Sequence, residues 1–229
     1  MKIPFLHNND YSFPDPNLAL KEPNGLLAVG GDLSMGRLLN AYRQGIFPWY
    51  EESDPIVWWS PDPRAILFFE DFIITKRFSR TLHSESYTIF LDRNFDAVIT
   101  ACQNPRPKQE STTWITPEMK KAYCALFEAG FCHCIEVLQE NTLIGGIYGV
   151  SLGHAFFGES MFSFKSNGSK IALFYLIEKL KTLGFSWLDC QIGSPHLERL
   201  GAKLIPRSDF HRLLQAANVF PTILGPWTY

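Results

Sequence analysis

The sequence predicts a mixed α/β protein, because short apolar segments typical of strands alternate with amphipathic segments typical of helices. The clearest unit is a strand, a helix and a second strand. Residues 155–163 form an apolar, aromatic run bounded by Gly153 and Asn167, which is typical of a buried strand. Leucines and isoleucines at helical spacing follow between residues 169 and 183, and residues 185–192 predict the second strand. Elements of these lengths predict two parallel strands joined by a right-handed crossover.

Polar side chains stand inside this apolar unit. Glu159 lies in the middle of the first strand, where a carboxylate is costly unless it is paired, hydrogen-bonded or faces a wet cleft. In the second strand, the alternation of side chains places Asp189 and Gln191 on one side, with Trp187. Leu188, Cys190 and Ile192 then point to the other side. Neighbouring strands would bring Glu159, Asp189 and Gln191 to a site of the kind that open sheets form. A set of structural carboxylates with local hydrogen bonds is the alternative.

The first 62 residues predict a small N-terminal α/β domain. An apolar run at residues 26–29 precedes a short amphipathic helix. Trp58 and Trp59 are neighbours in a predicted strand, so one should pack inward and the other should line a cleft or a domain seam. Two prolines at this point predict a boundary after residue 62, which leaves residues 63–229 for a C-terminal domain.

From residue 117 onward the predicted order is α-β-β-β-α-β. Thr116 and Pro117 mark the start of the first helix, and hairpin strands follow at 131–138 and 143–150. This order suits a mixed sheet of the acyl-CoA-dependent N-acetyltransferase (GNAT) fold. That fold normally carries a glycine-rich pyrophosphate loop, whereas residues 164–169 contain one glycine. The CoA signature is therefore missing, although an N-acetyltransferase with a divergent CoA site stays a competing interpretation.

Composition limits the classes of function and the compartment. The chain has 229 residues, a formal net charge of −2 and five cysteines without framework spacing. A negative net charge predicts no general attraction to nucleic acid, so such binding must come from a local patch. An odd number of unpatterned cysteines predicts reduced thiols in a cytoplasm. No apolar run approaches the roughly 20 residues of a membrane helix, and no signal peptide is expected.

Two local clusters have competing interpretations. The run from Cys132 through His133 to Cys134 could suggest a metal, but it lies in a predicted strand without a second pair of ligands, which favours burial over zinc. Lys76, Arg77 and Arg80 form the densest basic cluster, which is either a solvated helix face or a phosphate-binding surface. The sequence around Ser160 lacks the glycines of a nucleophile elbow, and no Walker loop or His-Glu-x-x-His motif occurs. No metal and no cofactor are expected.

Seven blocks in a fixed order carry a family resemblance. They are EPNGLLAVGGDLS at 22–34, YRQGIFPW at 42–49, WWSPDPR at 58–64, WIT at 114–116, GGIYGV at 145–150, GESMFS at 158–163 and DCQ at 189–191. On these blocks the chain resembles the bacterial leucyl/phenylalanyl-tRNA–protein transferases. The resemblance implies a small N-terminal domain and a GNAT-like catalytic domain. It also implies transfer of Leu, Phe or, less well, Met from aminoacyl-tRNA to an N-terminal Arg or Lys, which marks a protein for degradation by the N-end rule pathway. No nucleotide, metal or CoA is needed, and a monomer is expected.

The resemblance also implies roles for individual residues. Asp189 would orient and help to deprotonate the attacking amine, and Gln191 would hydrogen-bond near the reacting carbonyl. Proton relay by the terminal ribose hydroxyls of the tRNA is the alternative. Glu159 would hold the ammonium group of the aminoacyl moiety. The implied side-chain pocket consists of Ile147, Phe156, Met161, Leu173 and Leu176, for which ordinary core packing is the alternative. Trp49 and Trp114 would stack on the terminal adenine, and Lys76, Arg77 and Arg80 would bind acceptor-stem phosphates.

The chain departs from the family pattern at a few positions. Ser111 and Thr112 stand where members usually carry a glycine, next to the implied adenine-stacking Trp114. Ile147 and Leu176 stand where some relatives would have a methionine or an aromatic residue, so the preference among Leu, Phe and Met is expected to differ. A non-catalytic RNA-binding module is the second competing interpretation, and it predicts salt-dependent RNA binding that survives Asp189→Ala.

Overall fold

A computed structural model describes residues 3–8, 10–84, 87–103 and 113–228, and its strands form two sheets. The first sheet lies near the N-terminus and has the order β1-β2-β4-β3. Its strands are Phe5–Leu6 (β1), Leu26–Gly30 (β2), Phe47–Pro48 (β3) and Val57–Trp59 (β4). Strands β1 and β2 are parallel, and the other pairs are antiparallel. Helix Met35–Arg43 (α1) connects β2 to β3.

The second sheet has seven strands in the order β11-β5-β10-β9-β8-β7-β6. The strands are Arg64–Phe68 (β5), Thr88–Leu91 (β6), Cys132–Gln139 (β7), Thr142–Leu152 (β8), Ala155–Ser163 (β9), Trp187–Gln191 (β10) and Lys203–Ile205 (β11). Strands β9 and β10 are parallel neighbours, as predicted, and the remaining pairs are antiparallel. The sheet is therefore mixed, and the predicted mixed α/β class is confirmed.

The described residues contain six further α-helices. They are Lys76–Ser84 (α2), Phe95–Gln103 (α3), Pro117–Glu128 (α4), Gly168–Thr182 (α5), Pro195–Glu198 (α6) and Arg207–Asn218 (α7). Helix α4 begins as predicted, because Thr116 accepts a hydrogen bond from the backbone of Met119 and Pro117 occupies the first position. The observed order α4-β7-β8-β9-α5-β10 confirms the predicted α-β-β-β-α-β order.

The two faces of the large sheet carry two hydrophobic clusters. Side chains alternate across each strand, so Phe157 joins one cluster and its neighbour Phe156 joins the other. The first cluster also contains Tyr42, Trp58 and other residues of the N-terminal part. One continuous core therefore packs the small sheet and helix α1 against the large sheet. The division of the chain at residue 62 stays a prediction; the small sheet lies before it, and β5 begins just after it.

The predicted packing of the two adjacent tryptophans and the predicted burial of residues 132–134 are confirmed. Trp58 is fully buried, whereas Trp59 is partly exposed and lines a cleft. Cys132, His133 and Cys134 are buried. The five cysteines are free thiols. Within the described ranges, no group of three or more metal-binding side chains occurs, and no helix there is long and apolar enough to cross a bilayer. Ser111 and Thr112 lie outside the described residues.

Candidate active site

Glu159 is aimed by an irregularity in strand β9. Tyr148 of β8 pairs with Ser160, and the next residue, Gly149, pairs with Gly158, so Glu159 is the extra residue of a β-bulge. Bulges bend a strand and redirect a side chain. The Glu159 carboxyl group reaches two buried tyrosines.

Two tyrosines from different helices meet at this carboxyl group. The hydroxyl of Tyr42, on α1, lies 2.8 Å from Oε1 of Glu159, and that of Tyr123, on α4, lies 2.9 Å from Oε2. The two hydroxyls lie 2.5 Å from each other. Burial raises the pKa of both tyrosines well above the ordinary value, so both hydroxyls keep their protons at neutral pH. The N-terminal part of the chain therefore supplies one of the groups that contact Glu159.

The strand that follows the crossover also contacts Glu159. Gln191 has a φ of +62° and lies at a register irregularity in β10, after Asp189. Its Nε2 donates a hydrogen bond of 2.8 Å to Oε1 of Glu159. The predicted proximity of Glu159 and Gln191 is thus observed. A left-handed conformation is unusual for a residue with a side chain, so this turn of the backbone must be held by its surroundings.

Asp189 holds that turn. Its Oδ1 accepts hydrogen bonds from the Gln191 backbone N–H at 2.8 Å and from Nε of Arg64 at 2.9 Å, and its Oδ2 accepts from Nη2 of Arg64 at 2.7 Å. Both partners of this bidentate ion pair are buried. The guanidinium carbon of Arg64 lies 4.9 Å from the ring centroid of Phe47 and 4.5 Å from that of Phe210. The Asp189 carboxylate is therefore fixed in the interior by an arginine held between two rings.

A cavity of about 270 Å³ opens beside Glu159. Its walls are mostly apolar, and Glu159 supplies its carboxyl group. The lining residues are Leu67, Ile147, Gly158, Glu159, Ser160, Met161, Leu173, Leu188, Cys190, Ser194, His196 and Leu197. Asp189 is not among them, because Leu188 and Cys190 present the opposite side of β10 to the cavity.

The cavity includes only part of the predicted side-chain pocket. Ile147, Met161 and Leu173 line it, whereas Phe156 and Leu176 are buried in the adjoining hydrophobic cluster and are not among the lining residues. Sequence reasoning missed Leu67, Leu188 and the segment 194–197. The alternation in β10 already placed Leu188 opposite Asp189, which was the available signal for this wall.

The electrostatics of Glu159 are set mainly by burial. Loss of solvent raises the pKa of its carboxyl group from 4.5 to about 7. Hydrogen bonds from Tyr42, Tyr123 and Gln191 lower this pKa, and the nearby charge of Asp189 raises it. Burial also raises the pKa of the Cys190 thiol, so this thiol in the cavity wall is not a thiolate at neutral pH.

A second cleft, of about 310 Å³, is built on tryptophans. Trp49, Trp59 and Trp114 line it, together with Tyr50, Glu51, Asp54 and Val57. Trp49 is 44% exposed, and its ring centroid lies 5.8 Å from that of Trp59. The indole N–H of Trp59 donates a hydrogen bond of 2.6 Å to the Trp49 carbonyl. The structure thus brings Trp49 and Trp114 together, and Trp59 supports the first of them.

The basic cluster lies on helix α2. Lys76, Arg77 and Arg80 are all exposed, while Phe78 on the other side of the helix is buried. Arg77 and Arg80 line an open groove together with His83, and Lys76 and Arg80 line a second one. The helix therefore presents three cationic side chains to solvent.

Comparison with known proteins assigns the family. A family model described as leucyl/phenylalanyl-tRNA protein transferase matches residues 66–215, and the model of its N-terminal domain matches residues 31–62. The chain belongs to the leucyl/phenylalanyl-tRNA–protein transferase family. Members from Syntrophus aciditrophicus and Azotobacter vinelandii are similar along almost the whole length. The first is 52% identical over 94% of this chain and 90% of its own, and the second is 49% identical over 90% of each.

A solved structure resembles this transferase more distantly. The GCN5-related N-acetyltransferase from Kribbella flavida is 10% identical to it, with a TM-score of 0.40 over 76% of this chain and 61% of its own. The family assignment follows from the sequence relatives and from the two family models, which together match residues 31–62 and 66–215.

Proposed function

We propose that this transferase moves Leu, Phe or, less well, Met from aminoacyl-tRNA to the N-terminal Arg or Lys of a protein, forming a peptide bond. The observation that carries the proposal is the carboxyl group of Glu159 at the wall of an apolar cavity, beside the amide of Gln191. An α-amino acid presents the complementary pair, an ammonium group next to a hydrocarbon side chain. Family membership supports the same reaction. The product would enter degradation by the N-end rule pathway.

The cavity supports a relaxed choice among hydrocarbon side chains. Most of the cavity wall is apolar, and Ile147, Met161 and Leu173 contribute to this apolar part. A hydrophobic pocket distinguishes side chains that differ by a methylene group by only about 1–3 kcal/mol. A preference for Leu, Phe and Met over polar amino acids follows, whereas strict selection among the three does not.

Asp189 acts in this proposal as a positioning residue. Its oxygens already accept three hydrogen bonds from Arg64 and Gln191. They are therefore poor candidates to take a proton from the acceptor amine. The Asp189 carboxylate instead fixes the backbone of Gln191, whose side-chain amide contacts Glu159 and would lie near the reacting carbonyl. Because the aminoacyl ester is already activated, holding the ester and the amine together supplies most of the catalysis. Proton relay by the terminal ribose hydroxyls fits this arrangement.

The tryptophan cleft supports adenine binding. Trp49 and Trp114 line one cleft of a size that admits a flat ring, and aromatic faces stack on nucleobases without sequence preference. We therefore expect the terminal adenosine of the tRNA to bind between them.

Replacement of either tryptophan should weaken adenosine binding. Trp49→Ala and Trp114→Ala should each cost about 1–3 kcal/mol in the binding of adenosine that carries phenylalanine through a stable 3′-amide. Isothermal titration calorimetry measures this loss. Phe220→Ala is the matched control, because Phe220 is a 49% exposed aromatic residue that lines neither cavity. Equal affinity of the Trp variants and the control would contradict the adenine assignment.

Substitutions on the basic face of α2 should weaken the binding of whole tRNA but not of the adenosine ligand. Each of Lys76→Ala, Arg77→Ala and Arg80→Ala should weaken tRNA binding and lower the slope of log affinity against log salt by about 1. The adenosine ligand lacks the acceptor stem, so its affinity should not change. Lys181→Ala is the charge-matched control, because Lys181 is already paired with Glu178 at 2.8 Å. An unchanged salt slope in all three variants would show that these side chains form a solvated helix face and do not bind tRNA phosphates.

The start of helix α5 does not support the acyl-CoA alternative. A pyrophosphate in that fold would sit on the N-terminal backbone of this helix. Here the backbone N–H of Ser169 donates to Oγ of Ser163 at 2.7 Å, and the backbone of Gly168 packs directly against Gly145. A helix start that is closed by its own chain leaves little backbone for a phosphate. Acetyl-CoA should therefore give no thermal stabilisation, whereas the aminoacyl-adenosine ligand should.

A transfer assay tests the proposed reaction. Leucyl-tRNA and a peptide that begins with Arg should give a labelled leucyl peptide, and the same peptide with an acetylated N-terminus should give none. Glu159→Gln should lower kcat/KM by about 10- to 150-fold, because a charge-assisted hydrogen bond contributes about 1.5–3 kcal/mol. No product from the wild-type protein would contradict the proposed function.

The setting of this reaction is also part of the proposal. Five free thiols fit a reducing compartment, which supports a cytoplasmic location. A net charge of −2 and the lack of apolar heptads favour a monomer. We expect no cofactor and no metal.

A further inference from the structure

Tyr42, Tyr123 and Glu159 contact one another in a triangle of three oxygen–oxygen contacts, which require three hydrogens. The hydroxyls of Tyr42 and Tyr123 lie 2.5 Å apart, and each lies within 2.9 Å of a Glu159 oxygen. All three distances are those of hydrogen bonds. A hydroxyl carries one hydrogen, so the two tyrosines supply two hydrogens for three contacts. An ionised Glu159 would therefore leave one pair of oxygen atoms in contact without a hydrogen between them.

We infer that Glu159 carries the third hydrogen in the free protein and gives it up when the amino group of an aminoacyl substrate binds. In the free protein, Oε2–H donates to Tyr123, Tyr123 donates to Tyr42, and Tyr42 donates to Oε1. These three bonds close a ring. Gln191 Nε2 also donates to Oε1, which then uses both of its lone pairs. The inference rests on the proposed function, because it takes an aminoacyl amine as the ligand of Glu159.

The surroundings of Glu159 favour the neutral acid. The titratable groups around it come from six elements: Tyr42 on α1, Tyr123 on α4, Cys132 on β7, Tyr148 on β8, Asp189 and Cys190 on β10, and His196 on α6, the last two in the wall of the same cavity. Burial raises the pKa of the tyrosines and of Cys132, which keeps them neutral, and Asp189 carries a negative charge that opposes ionisation of Glu159. Arg64 is committed to Asp189. The raised pKa of Glu159, about 7, agrees with the count of hydrogens.

Binding would then be coupled to the movement of one proton. When the amine arrives as ammonium, the proton on Oε2 passes to solvent and leaves a carboxylate paired with the ammonium. When it arrives neutral, the same proton moves from Oε2 to the amine nitrogen. Heavy-atom bonds do not change in either case. Tyr123 then turns its hydrogen toward Oε2, and its contact with Tyr42 lengthens. Below about pH 7, affinity for an ammonium ligand should fall tenfold for each unit of pH.

Calorimetry with two matched ligands tests this coupling in the full chain. The first is adenosine with a 3′-amide-linked phenylalanine, and the second carries 3-phenylpropanoyl, which lacks the α-amine. At about pH 6 an α-amino group is already charged, so it contributes no proton change. In buffers of different protonation enthalpy, the first ligand should release about 0.9 proton and the second none. Binding of the first ligand without proton release overturns the inference and leaves the proposed function intact. If neither ligand binds, the proposed function fails.

A direct titration tests the proton on Glu159 without any ligand. In protein labelled with ¹³C at the glutamate carboxyl carbon, the resonance that is lost in Glu159→Gln should titrate near pH 7. A midpoint close to the ordinary glutamate value overturns the inference. Tyr42→Phe should raise the midpoint, because it removes a donor to the carboxylate. Tyr148→Phe is the matched control with no shift, since its buried hydroxyl has no hydrogen-bond partner among the described residues.

Discussion

Asp189→Asn should lower the free energy of unfolding by about 3–5 kcal/mol, because it leaves the charge of Arg64 buried without its partner. Asp189 and Arg64 are both almost completely inaccessible to solvent, and they share two hydrogen bonds. For a protein of this size the melting temperature should drop by about 10 °C. Transfer should fall by about 100-fold or more, because the NH2 group of Asn faces the Nη2 donor of Arg64 and so displaces the Oδ1 that accepts the Gln191 N–H. Urea unfolding and single-turnover transfer measure the two effects.

A double variant separates the effect of Asp189 on stability from its effect on the transfer reaction. Arg64→Met with Asp189→Leu removes both charges, and apolar replacement of a buried ion pair is often neutral for stability. The double variant should therefore recover most of the lost stability while transfer stays low, since Leu cannot accept the Gln191 N–H. If Asp189→Asn were as stable as the wild type, Asp189 would not be needed to compensate the buried charge of Arg64. Full transfer activity in the double variant would show that Asp189 does not position Gln191.

Glu159 should make the protein less stable as pH rises from about 4.5 to about 7. Its pKa is raised to about 7 in the folded protein, against 4.5 for an exposed glutamate. In this window the folded state binds more protons than the unfolded state, so stability falls with increasing pH. Above about pH 7 the loss is complete. A shift of this size corresponds to at most about 3 kcal/mol.

The difference in the free energy of unfolding between the wild type and Glu159→Gln isolates the pH-dependent contribution of Glu159. Glutamine cannot titrate, so the variant should gain up to about 3 kcal/mol relative to wild type between pH 5 and pH 8. Urea unfolding at several pH values gives the difference, and other titrating groups cancel from it. Glu128→Gln, at an exposed position near the end of α4, is the control and should show no such change. A difference that does not vary with pH would place the charged form of Glu159 in the folded protein throughout.

Local patterns predicted much of the fold. The strand at 155–163 has the predicted bounds, and α5 begins and ends within one residue of expectation, because apolar periodicity and turn residues are local signals. Strands β1, β3, β6 and β11 are not predicted by the sequence. They contain two to four residues each, which is too short for a period to show, and all four lie at sheet edges. Their formation depends on a neighbouring strand rather than on their own sequence.

The candidate site was predictable only in part. Adjacent parallel strands explain why Glu159 and Gln191 could be expected together. Strict alternation placed Asp189 and Gln191 on the same side, whereas a register irregularity and a positive φ let Gln191 turn to Glu159 while Asp189 faces Arg64. Arginine is almost never fully buried, so sequence alone gave no reason to pair Arg64 with an aspartate far along the chain. Tyr42 lies on the predicted amphipathic helix, but the partner of its hydroxyl could not be predicted from spacing.

The single core that joins both sheets has a consequence for denaturation. Residues before and after position 62 fill the same hydrophobic cluster, so neither portion buries its apolar surface without the other. Heat or urea should unfold the two sheets together in one cooperative transition. A destabilising substitution in the shared core should therefore disturb the tryptophan cleft and the cavity beside Glu159 equally, although neither is lined by the substituted residue.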